Sequence, residues 1–562
     1  MAKKEIENLV EKALYKIYPL FESFQKEGIN VLVGVPKEKE HGDYSTNVSL
    51  VLSKKLDKNP FEVAKEIASE IDRKESASWR IEKIEVASPG FINFYLSKDF
   101  FIENLAEILR DKNFGANKNL KGKKIIIEYT DPNPFKKFHI GHLNNNAVGE
   151  AMSRIFEFHG ASVKRANYQG DVGLHVAKSI WGKISKPNLE WGEAYMHGHV
   201  QYEDNEIVKK DIDEINKKVY AKSDENINKL YKQGREETLA EFEKIYQKIG
   251  TKFNCYFFES EVADFGKKIV NDHPEIFEKG EKGAIIFKGE SFEPKTHTRV
   301  FINSEGLPTY EAKELGLAKK KYDEYKYDQS VVITGNEIKE YFKVLLSAMA
   351  QVFPDLAKKT KHIGHGMLRL PEGKMSSRKG NVVTAESLIE KVKKGIKAKI
   401  GERDLNESDV EKIAIGAIKY SILKQSIGKD IIYDFEKSIS FEGDSGPYLQ
   451  YSYVRSASVL EKAKVEKIKP SLKNVPLEIT QLEKIMSHFP EAVEKAGMEY
   501  QPHFIILYLT ELAREFNNYY AHNTIVDKND EFSPYKVALT QAFSIIMKNG
   551  LWLLGIQVPD KM

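Results

Sequence analysis

The chain has 562 residues, enough for several domains of the usual size, about 50 to 250 residues each. Apolar residues make up 41% of it and charged residues 30%, so it can form several packed cores, which excludes a disordered or fibrous protein. Its single cysteine, Cys255, excludes an internal disulfide and any zinc or iron–sulfur site built on several cysteines.

The 86 basic and 83 acidic residues give a net charge of +3. This balance does not decide for or against nucleic acid, because binding depends on where the charges lie. No segment approaches the roughly 18 uninterrupted apolar residues of a membrane span. We therefore expect a soluble, cytoplasmic protein of several domains that has no membrane partner. A monomer is expected as well.

Residues 1–115 are predicted to form an α+β domain. Helical periodicity over the first 27 residues, with a break at Pro19, is followed by further helices, one of which begins at Pro60. Two apolar runs within 81–96 flank the sequence Ser-Pro-Gly and predict a β-hairpin. The lysine-rich stretch 117–124 is typical of a linker.

Residues 116–385 are predicted to form a second, α/β domain. Ile125–Tyr129 has the apolar pattern of a buried strand, 141–159 has an apolar face at helical spacing, and Ser162–Tyr168 is the next strand. A strand, a helix and a strand in about 45 residues form the βαβ unit of a doubly wound parallel sheet of the Rossmann type. The sheet pattern resumes at Ser330–Thr334.

Two long stretches depart from this alternation. Between about 176 and 300 the chain is rich in Lys, Glu and Asp, which predicts an insertion of solvated helices that ends in a hairpin at Arg299–Asn303. From 386 to 562 helical periodicity dominates and no convincing strand is found. The last domain is therefore predicted to be all-α.

The most informative segment, PNPFKKFHIGH at 132–142, lies between a buried strand and the first turn of a helix. Free backbone N–H groups and the helix dipole favour a phosphate group at such a turn. His139 and His142 share one helix face, and Gly141 leaves the backbone open to a nucleotide. An isolated pair of this kind is equally often two histidines of a core or a helix cap.

A second segment, residues 361–380, carries five basic groups and one acid, with four glycines that favour mobility. Such a loop can close on a polyphosphate, and nucleotidyl transfer requires that the charge developing on the α-phosphate and the departing pyrophosphate be neutralised. Taken alone, it would be interpreted as a solvated basic turn.

Together, HIGH at 139–142 and KMSSR at 374–378 resemble the two signatures of class I aminoacyl-tRNA synthetases. Ser377 stands where the commoner KMSKS pattern has its second lysine, and the form KMS-[ST]-RKG is familiar among arginyl-tRNA synthetases. Further segments resemble that family in the expected order: HGDYSTN (41–47), ASPGFINFYL (87–96), NYQGDVG (167–173), LPTYEAKELG (307–316), GPYLQYSYVR (446–455) and GLWLLGIQVP (550–559).

The resemblance implies the ATP-dependent attachment of L-arginine to tRNA(Arg) through an arginyl-adenylate, with release of AMP and pyrophosphate. It implies ATP and substrate-associated Mg²⁺, no zinc, and activation that requires tRNA. His139 and His142 would stabilise the phosphorus under attack, while Lys374 and Arg378 would hold the pyrophosphate. The expected ATP contacts are His139, Gly141, His142, Gly366, Met367, Lys374, Met375, Ser376 and Ser377.

The substrate arginine presents a planar fork of donors that carboxylates can bind in bidentate geometry. Glu128 follows the first strand of the sheet, at the edge where open α/β sheets bind ligands. The resemblance implies that Glu128, Asn133, Tyr310 and Glu314 contact the arginine, with Asn336 a further candidate. At position 314 the family commonly has Asp, so the reach of this carboxylate differs.

RNA ends and loops are recognised by bases stacked on aromatic side chains, with amides and arginines reading their edges. The last domain offers such side chains, and the expected tRNA contacts are Tyr453, Arg455, Asn517, Tyr520 and Asn523. Phe516 and one of the two tyrosines at 519–520 are expected to be buried instead. In the family the helical domain reads the anticodon, and the N-terminal domain contacts the outer corner of the tRNA.

Five other interpretations are weighed against this one. A cysteinyl enzyme is excluded by the lack of zinc ligands, and the acidic candidates Glu128 and Glu314 would repel the substrate of a glutamyl or glutaminyl enzyme. A class I lysyl enzyme is the closest alternative on charge. A nucleotidyltransferase with an H-x-G-H turn would lack the long helical tail, and a non-catalytic RNA-binding protein would be expected to lose both phosphate-binding motifs.

Overall fold

The computed structural model describes residues 2–71, 80–370, 383–401 and 405–562. These residues form two compact units, each assembled from separate parts of the chain. The N-terminal unit comprises 1–115, 455–492 and 511–546, and the parallel-sheet unit comprises 116–454, 493–510 and 547–562. None of the described helices is long and apolar enough to cross a membrane.

The N-terminal unit contains an antiparallel sheet covered by helices, as predicted. Its strands have the order β1-β2-β4-β3, with β1 (Val33–Gly34), β2 (Tyr44–Thr46), β3 (Ile81–Ala87) and β4 (Phe91–Leu96). The predicted hairpin is the antiparallel pair of β3 and β4. The helices are α1 (Ala2–Ile17), α2 (Phe21–Lys26), α3 (Val48–Leu56), α4 (Pro60–Glu70) and α5 (Lys98–Arg110).

The parallel-sheet unit contains the predicted doubly wound sheet. Five parallel strands have the order β12-β11-β5-β6-β7, with β5 (Lys124–Glu128), β6 (Ser162–Gln169), β7 (Cys255–Phe258), β11 (Gln329–Gly335) and β12 (Thr360–His365). The first crossover is α6 (Ile140–Phe158). It buries apolar side chains at helical spacing, such as Leu143, Ala147 and Ala151. The C-terminal ends of β5, β6 and β11 therefore meet at one edge, beside the start of α6.

The stretch predicted as an insertion is only partly one. It begins with four helices, α7 (Leu174–Ser185), α8 (Trp191–Asp204), α9 (Glu206–Ala221) and α10 (Glu225–Ile249). The chain then returns to the main sheet as the edge strand β7, which continues into α11 (Glu259–Asp272). A four-residue edge strand between charged helices carries too little pattern to be found from sequence.

A small antiparallel sheet follows, in the order β10-β9-β8, with β8 (Phe277–Lys279), β9 (Ile285–Phe287) and β10 (Arg299–Ile302). β10 pairs with β9 in this sheet, and the predicted turn at 304–306 is present, with an antiparallel bridge between Ile302 and Pro308 across it. The turn after β10 closes on itself, with the N–H of Gly306 donating to the carbonyl of Asn303. The helices beyond it are α12 (Tyr310–Glu324), α13 (Lys339–Val352) and α14 (Pro354–Lys359).

The part of 383–562 that the structure describes is helical, as predicted, apart from one short strand. Its helices are α15 (Ala385–Ile400), α16 (Glu407–Leu423), α17 (Phe435–Ser438), α18 (Gly446–Val465), α19 (Gln481–Ser487), α20 (Phe489–Met498), α21 (His503–His522) and α22 (Ser533–Leu553). The two-residue strand β14 (Ile431–Ile432) pairs in parallel with β13 (Leu368–Arg369). A strand of two residues is too short to have a periodicity of its own.

Candidate active site

The HIGH turn forms the N-terminus of α6, and its two histidines cap each other. His139 Nδ1 accepts the backbone N–H of Gly141 at 3.1 Å and that of His142 at 3.4 Å. His142 Nδ1 accepts the N–H of His139 at 3.2 Å. Because each Nδ1 is an acceptor, the proton of each neutral imidazole is on Nε2. The rings stack with centroids 3.7 Å apart, and each directs an N–H donor away from the backbone.

Both histidines are uncharged near neutral pH. Burial lowers the pKa of His139 to about 4, and the nearby ammonium of Lys136 contributes. Burial, His139 and Lys136 together hold the pKa of His142 well below its ordinary value. The pKa of Lys136 itself is lowered to about 8, by burial and by Lys178, so it still carries most of its charge at pH 7. The turn thus offers two neutral donors and one ammonium to a phosphate group.

Gly141 is required by the histidine cap itself. A Cβ at this position would lie 2.9 Å from two atoms of the His139 ring, closer than carbon atoms approach in proteins. The ring can fold back onto the turn only because residue 141 has no side chain. Glycine is therefore needed at position 141 for the histidine cap, in addition to the room for a nucleotide expected from the sequence.

The second signature segment is partly outside the described residues. Lys374, Met375, Ser376, Ser377 and Arg378 all fall within 371–382, of which nothing is described. The chain on either side of this gap lies beside the start of α6. Ahead of it, the carbonyl of Gly366 accepts a hydrogen bond from Asn144 Nδ2 at 2.9 Å. After it, the carbonyl of Val383 accepts the N–H of Ile140 at 3.2 Å.

Gly366 and Met367 differ in their surroundings. Gly366 is buried, and a Cβ there would lie 1.9 Å from the carbonyl oxygen of Lys429, so this position admits only glycine. The Met367 side chain is exposed, while its N–H donates to Asp430 Oδ1 at 2.9 Å. The backbone of these two residues is therefore held in place next to α6.

Asn336 is placed on this same side of the sheet. Its Nδ2 donates to the carbonyl of Gly428 at 2.8 Å, and its Oδ1 packs against Gly364. The contacts of Asn336 are thus with the end of β12 and the loop before β14. Its role as an arginine contact stays a prediction.

A group of carboxylates lies at the edge of the sheet beside α12. Glu128, at the end of β5, is only 2% exposed and forms an ion pair with Lys321, 2.6 Å from Oε2 to Nζ. Lys321 is 3% exposed and lies on α12, seven residues after Glu314, so both side chains are on one face of that helix. The carboxylate expected to meet the substrate therefore already has a cation.

A second buried ion pair lies nearby. Glu259, the first residue of α11, pairs with Lys313 at 2.7 Å, and Lys313 Nζ also donates to the hydroxyl of Tyr220 at 3.3 Å. The Lys313 ammonium lies 5.3 Å from the ring centroid of Tyr310. Tyr310 is 61% exposed and forms the open side of this cluster.

Asn133 lies close to one of these carboxylates, Glu259, because both side chains pack against Gly170. A Cβ on Gly170 would lie 2.2 Å from Asn133 Oδ1 and 3.0 Å from Glu259 Oε1, so both side chains converge on this glycine at the end of β6. Asp171 fixes the start of α11, because its carboxylate accepts the N–H of Ser260 at 2.9 Å and the Ser260 hydroxyl at 2.7 Å. Asp171, the acid of the NYQGDVG motif, is therefore used to position Glu259 and not to contact a ligand.

Glu314 interacts with this cluster and is mostly protonated at pH 7, because its pKa is raised. Burial raises its pKa to about 8, and the negative charge of Glu128 contributes. Asp131 has the same surroundings, and burial, Glu128 and Glu314 raise its pKa well above its ordinary value. A site that disfavours two carboxylate charges is one that a cation would stabilise.

The sequence analysis identified Glu128, Asn133, Tyr310 and Glu314 but missed Asp131, Glu259, Lys313 and Lys321. Asp131 directly precedes Pro132, the first residue of the quoted signature segment, and this position is the signal that could have found it. Glu259 could not be found, because it follows the edge strand β7 that the periodicity did not reveal. The two lysines appeared as ordinary charges of an exposed helix.

Three of the five proposed tRNA contacts lie together in the N-terminal unit. Arg455 Nη1 donates to Asn517 Oδ1 at 2.6 Å, and the Arg455 guanidinium lies 4.8 Å from the ring centroid of Tyr520. Asn523, directly after the end of α21, instead donates to the carbonyl of Tyr519 on that helix. Tyr453 is part of the parallel-sheet unit.

The expected burial of Phe516 is confirmed. Its side chain is fully buried and stacks on Phe543, with ring centroids 3.8 Å apart. Of the two tyrosines that follow, Tyr519 is the more buried and Tyr520 the more exposed.

Comparison with known proteins agrees with this geometry. A family model described as tRNA synthetases class I (R), catalytic domain, matches residues 104–435. The models for the DALR anticodon binding domain and the arginyl tRNA synthetase N terminal domain match 449–562 and 4–96. The parallel sheet and its HIGH turn are thus those of a class I aminoacyl-tRNA synthetase.

Relatives narrow the assignment further. The arginine–tRNA ligase of Borrelia hermsii is 30% identical over 590 residues, covering 100% of this chain and 99% of that protein. The enzyme of Halothermothrix orenii is 32% identical, covering 95% of this chain and 96% of that protein. The chain belongs to the arginyl-tRNA synthetase family.

Solved structures agree on the fold. The arginyl-tRNA synthetase of Thermus thermophilus superposes with a TM-score of 0.79 at 22% identity, over the full length of both chains. That of Plasmodium falciparum gives a TM-score of 0.80 at 20% identity, covering 100% of this chain and 99% of the other. The predicted fold class, a Rossmann-type sheet with an N-terminal α+β part and a helical C-terminal part, is confirmed.

Proposed function

We propose that this chain attaches L-arginine to tRNA(Arg) at the edge of the parallel sheet, with the HIGH turn binding ATP and the carboxylates beside α12 binding arginine. The observation that carries this assignment is the meeting of two chemistries at one sheet edge. Neutral imidazole donors suited to phosphate lie at the start of α6, and carboxylates suited to a cationic amino acid follow β5 and line α12.

In the first step the arginine carboxylate attacks the α-phosphate of ATP, and the bond to the pyrophosphate breaks. The Nε2–H groups of His139 and His142 donate to the oxygens on the phosphorus as its charge increases. Lys136 adds a positive charge close to both rings. The products are arginyl-adenylate and pyrophosphate, and no side chain has to form a covalent bond.

Lys374 and Arg378, in the basic segment 361–380, are the proposed cations that bind the pyrophosphate. The described chain on both sides of this segment is hydrogen-bonded to the first turns of α6, which supports a contribution of its basic residues to the same site. Met367, Met375, Ser376 and Ser377 would border the nucleotide there. Mg²⁺ enters with ATP, held by phosphate oxygens and water.

In the second step a hydroxyl of the terminal ribose of tRNA attacks the arginyl carbonyl, and AMP leaves.

Recognition of the tRNA involves other residues. The pair formed by Arg455 and Asn517, with Tyr520 beside it, offers donors and a stacking face to an unpaired base. We place the anticodon contacts in 386–562, including Tyr453 and Asn523, and contacts with the outer corner of tRNA in 1–115.

The test is ATP–pyrophosphate exchange with each amino acid, with and without tRNA. Exchange should require arginine and should depend on tRNA, because the resemblance implies tRNA-dependent activation. Lysine is the decisive comparison, since it has the same charge but lacks the planar donor fork. Exchange with lysine and none with arginine would show the assignment to be wrong.

A further inference from the structure

Three consecutive asparagines, 144–146, lie one residue after the HIGH sequence, and all three side chains are buried. Asn145 Nδ2 donates to the carbonyl of Ile333, near the end of β11, at 2.8 Å. Asn146 Nδ2 donates to the hydroxyl of Thr130, in the loop after β5, at 3.0 Å. Asparagine is unfavourable inside a helix, because its amide competes for backbone partners. Here the amides instead join α6 to the ends of different strands.

Asn144 is the asparagine that reaches the proposed nucleotide site. It is 1% exposed, and its Nδ2 lies 2.9 Å from the carbonyl oxygen of Gly366 and 3.1 Å from His365 Nδ1. His365 is the last residue of β12 and is 7% exposed, and its Nδ1 lies 2.8 Å from the same carbonyl oxygen. The two side chains thus meet at one backbone carbonyl group, directly before Met367.

The Gly366–Met367 backbone is held from two sides. On one side the N–H of Met367 donates to Asp430 Oδ1 at 2.9 Å, and its carbonyl accepts the N–H of Ile431 at 2.8 Å. On the other side it is bonded to Asn144, four residues after the first residue of α6. Four residues correspond to about 6 Å along a helix axis. The bond therefore sets the distance between the HIGH turn and this backbone.

Both Asn144 and His365 line a small cavity. Its other walls are formed by Val148, the loop 425–429 and Pro502. Asn144 Oδ1 and His365 Nε2 are buried, and neither has a hydrogen-bond partner within the described part of the chain. Buried polar atoms are nearly always paired with protein or with ordered water. The cavity is large enough for about one water molecule.

Either tautomer of His365 leaves its Nε2 in need of a partner. Burial lowers the pKa of His365, so the ring is largely neutral at pH 7. A proton on Nδ1 is donated to the Gly366 carbonyl, and Nε2 is then an acceptor; with the proton on Nε2, Nδ1 accepts from Asn144. A water molecule can donate or accept, so it can satisfy Nε2 and Asn144 Oδ1 in both cases.

The phosphate groups of ATP belong at the HIGH turn, so the nucleoside extends to one side of it. Met367 has an exposed thioether side chain, which suits an aromatic base and not a phosphate group. We propose that Asn144 and His365 are positioning residues for ATP, which keep the Gly366–Met367 backbone at a fixed distance from the HIGH turn. One water molecule bridges the remaining polar atoms of both side chains. This inference rests on the proposed function.

The first test is the variant Asn144→Leu, with Asn226→Leu as the matched control. Leucine has nearly the shape of asparagine but cannot donate to the Gly366 carbonyl. The KM for ATP should rise about 5- to 50-fold, as expected when a buried acceptor loses its donor. The KM for arginine should stay within about threefold. Asn226 is exposed on α10, so its replacement should change neither KM.

A purely structural role for Asn144 predicts a different pattern. If Asn144→Leu lowers the Tm while the KM for ATP stays within about threefold, the side chain only stabilises the fold and the proposal is overturned. An equal rise of both KM values would overturn it as well.

His365 gives a second test, which also serves if Asn144→Leu does not fold. An asparagine amide at this position lies near the site of Nδ1 and can keep the bond with Asn144, whereas phenylalanine cannot. The KM for ATP should therefore rise more in His365→Phe than in His365→Asn. Equal KM values in these two variants would overturn the role of His365.

Two inhibitors separate the ends of ATP. Inhibition constants are measured for adenosine, which lacks the phosphate groups, and for inorganic pyrophosphate, which lacks the nucleoside. Asn144→Leu should weaken adenosine by the same factor by which it raises the KM for ATP, and should leave pyrophosphate within about threefold. The reverse pattern would place the effect of Asn144 at the phosphate groups and overturn the proposal.

A crystal structure of the enzyme tests the water bridge. One water molecule should lie within about 3.2 Å of both Asn144 Oδ1 and His365 Nε2, and a dry cavity would overturn the bridge. Wild-type arginylation is measured in the same series as the variants. Its absence would overturn the proposed function, whereas normal arginylation with an unchanged KM for ATP in Asn144→Leu overturns only this inference.

Discussion

The affinity for arginine should fall as the pH is lowered through 8. Burial and the charge of Glu128 raise the pKa of Glu314 to about 8, so in the empty enzyme this group is mostly protonated at pH 7. A cation binds the ionised form, and the proton must leave first. The ionised form is abundant above pH 8 and is lost below it, so the KM for arginine increases towards acid pH.

The size of the change in KM follows from the ionisation of one carboxyl group, that of Glu314. The apparent KM is multiplied by one plus the ratio of protonated to ionised carboxyl, which with a pKa of about 8 is roughly 33 at pH 6.5 and about 1.3 at pH 8.5. The expected change between these pH values is therefore roughly 25-fold. Among the described residues, the titratable groups that interact electrostatically with Glu314 include Glu128, Asp131, Glu259, Glu311, Lys321, Tyr168 and Tyr341. Glu259 and Glu311 are themselves paired with Lys313 and Arg299.

The assay is steady-state aminoacylation of tRNA(Arg) at several pH values, with arginine and ATP varied separately. The control is the variant Glu314→Gln, because the pKa of Lys136, about 8, gives the KM for ATP a pH dependence of its own in this range. The variant Glu314→Gln should bind arginine weakly with little dependence on pH. A wild-type KM for arginine that is constant within threefold from pH 6.5 to 8.5 would refute the reasoning.

Three further predictions follow from the same contacts. His142→Asn keeps an acceptor for the N–H of His139 but loses the Nε2–H donor. The kcat for arginylation should therefore fall about 10²- to 10³-fold, with little change in tRNA affinity. A large loss of tRNA affinity at an unchanged rate would contradict the assigned role. Gly170→Ala would place a Cβ 2.2 Å from Asn133 Oδ1, so the KM for arginine should rise more than that for ATP, measured in the same aminoacylation assay. Lys321→Met leaves Glu128 buried and unpaired, so urea unfolding should show a loss of about 3–5 kcal/mol, most of it restored by adding Glu128→Gln. An equally unstable double variant would show that the ion pair is not the cause.

The sequence by itself determined the elements whose cause is local. The βαβ unit was predicted because apolar residues repeat at strand and helix spacing, and β5, α6 and β6 are where that pattern placed them. The histidine cap is local as well, since His139, Gly141 and His142 lie within one turn. Resemblance over the ordered motifs predicted the family and its substrate, and the comparisons confirm the family.

Only the tertiary structure decided which acids have partners. Glu128 and Lys321 are 193 residues apart, and Glu259 and Lys313 are 54 apart, so no spacing rule could pair them. The edge strand β7, which delivers Glu259, was hidden because four residues carry too little periodicity.

The ionisation of the pocket likewise depends on the fold. The pKa of a carboxyl group is set by burial and by charges that come from several elements at once, here β5, α11 and α12. Sequence therefore predicted that carboxylates would receive the arginine. The fold decided that Glu128 is paired with Lys321 and that Asp131 and Glu314 are the carboxyl groups without a cation among the residues the structure describes.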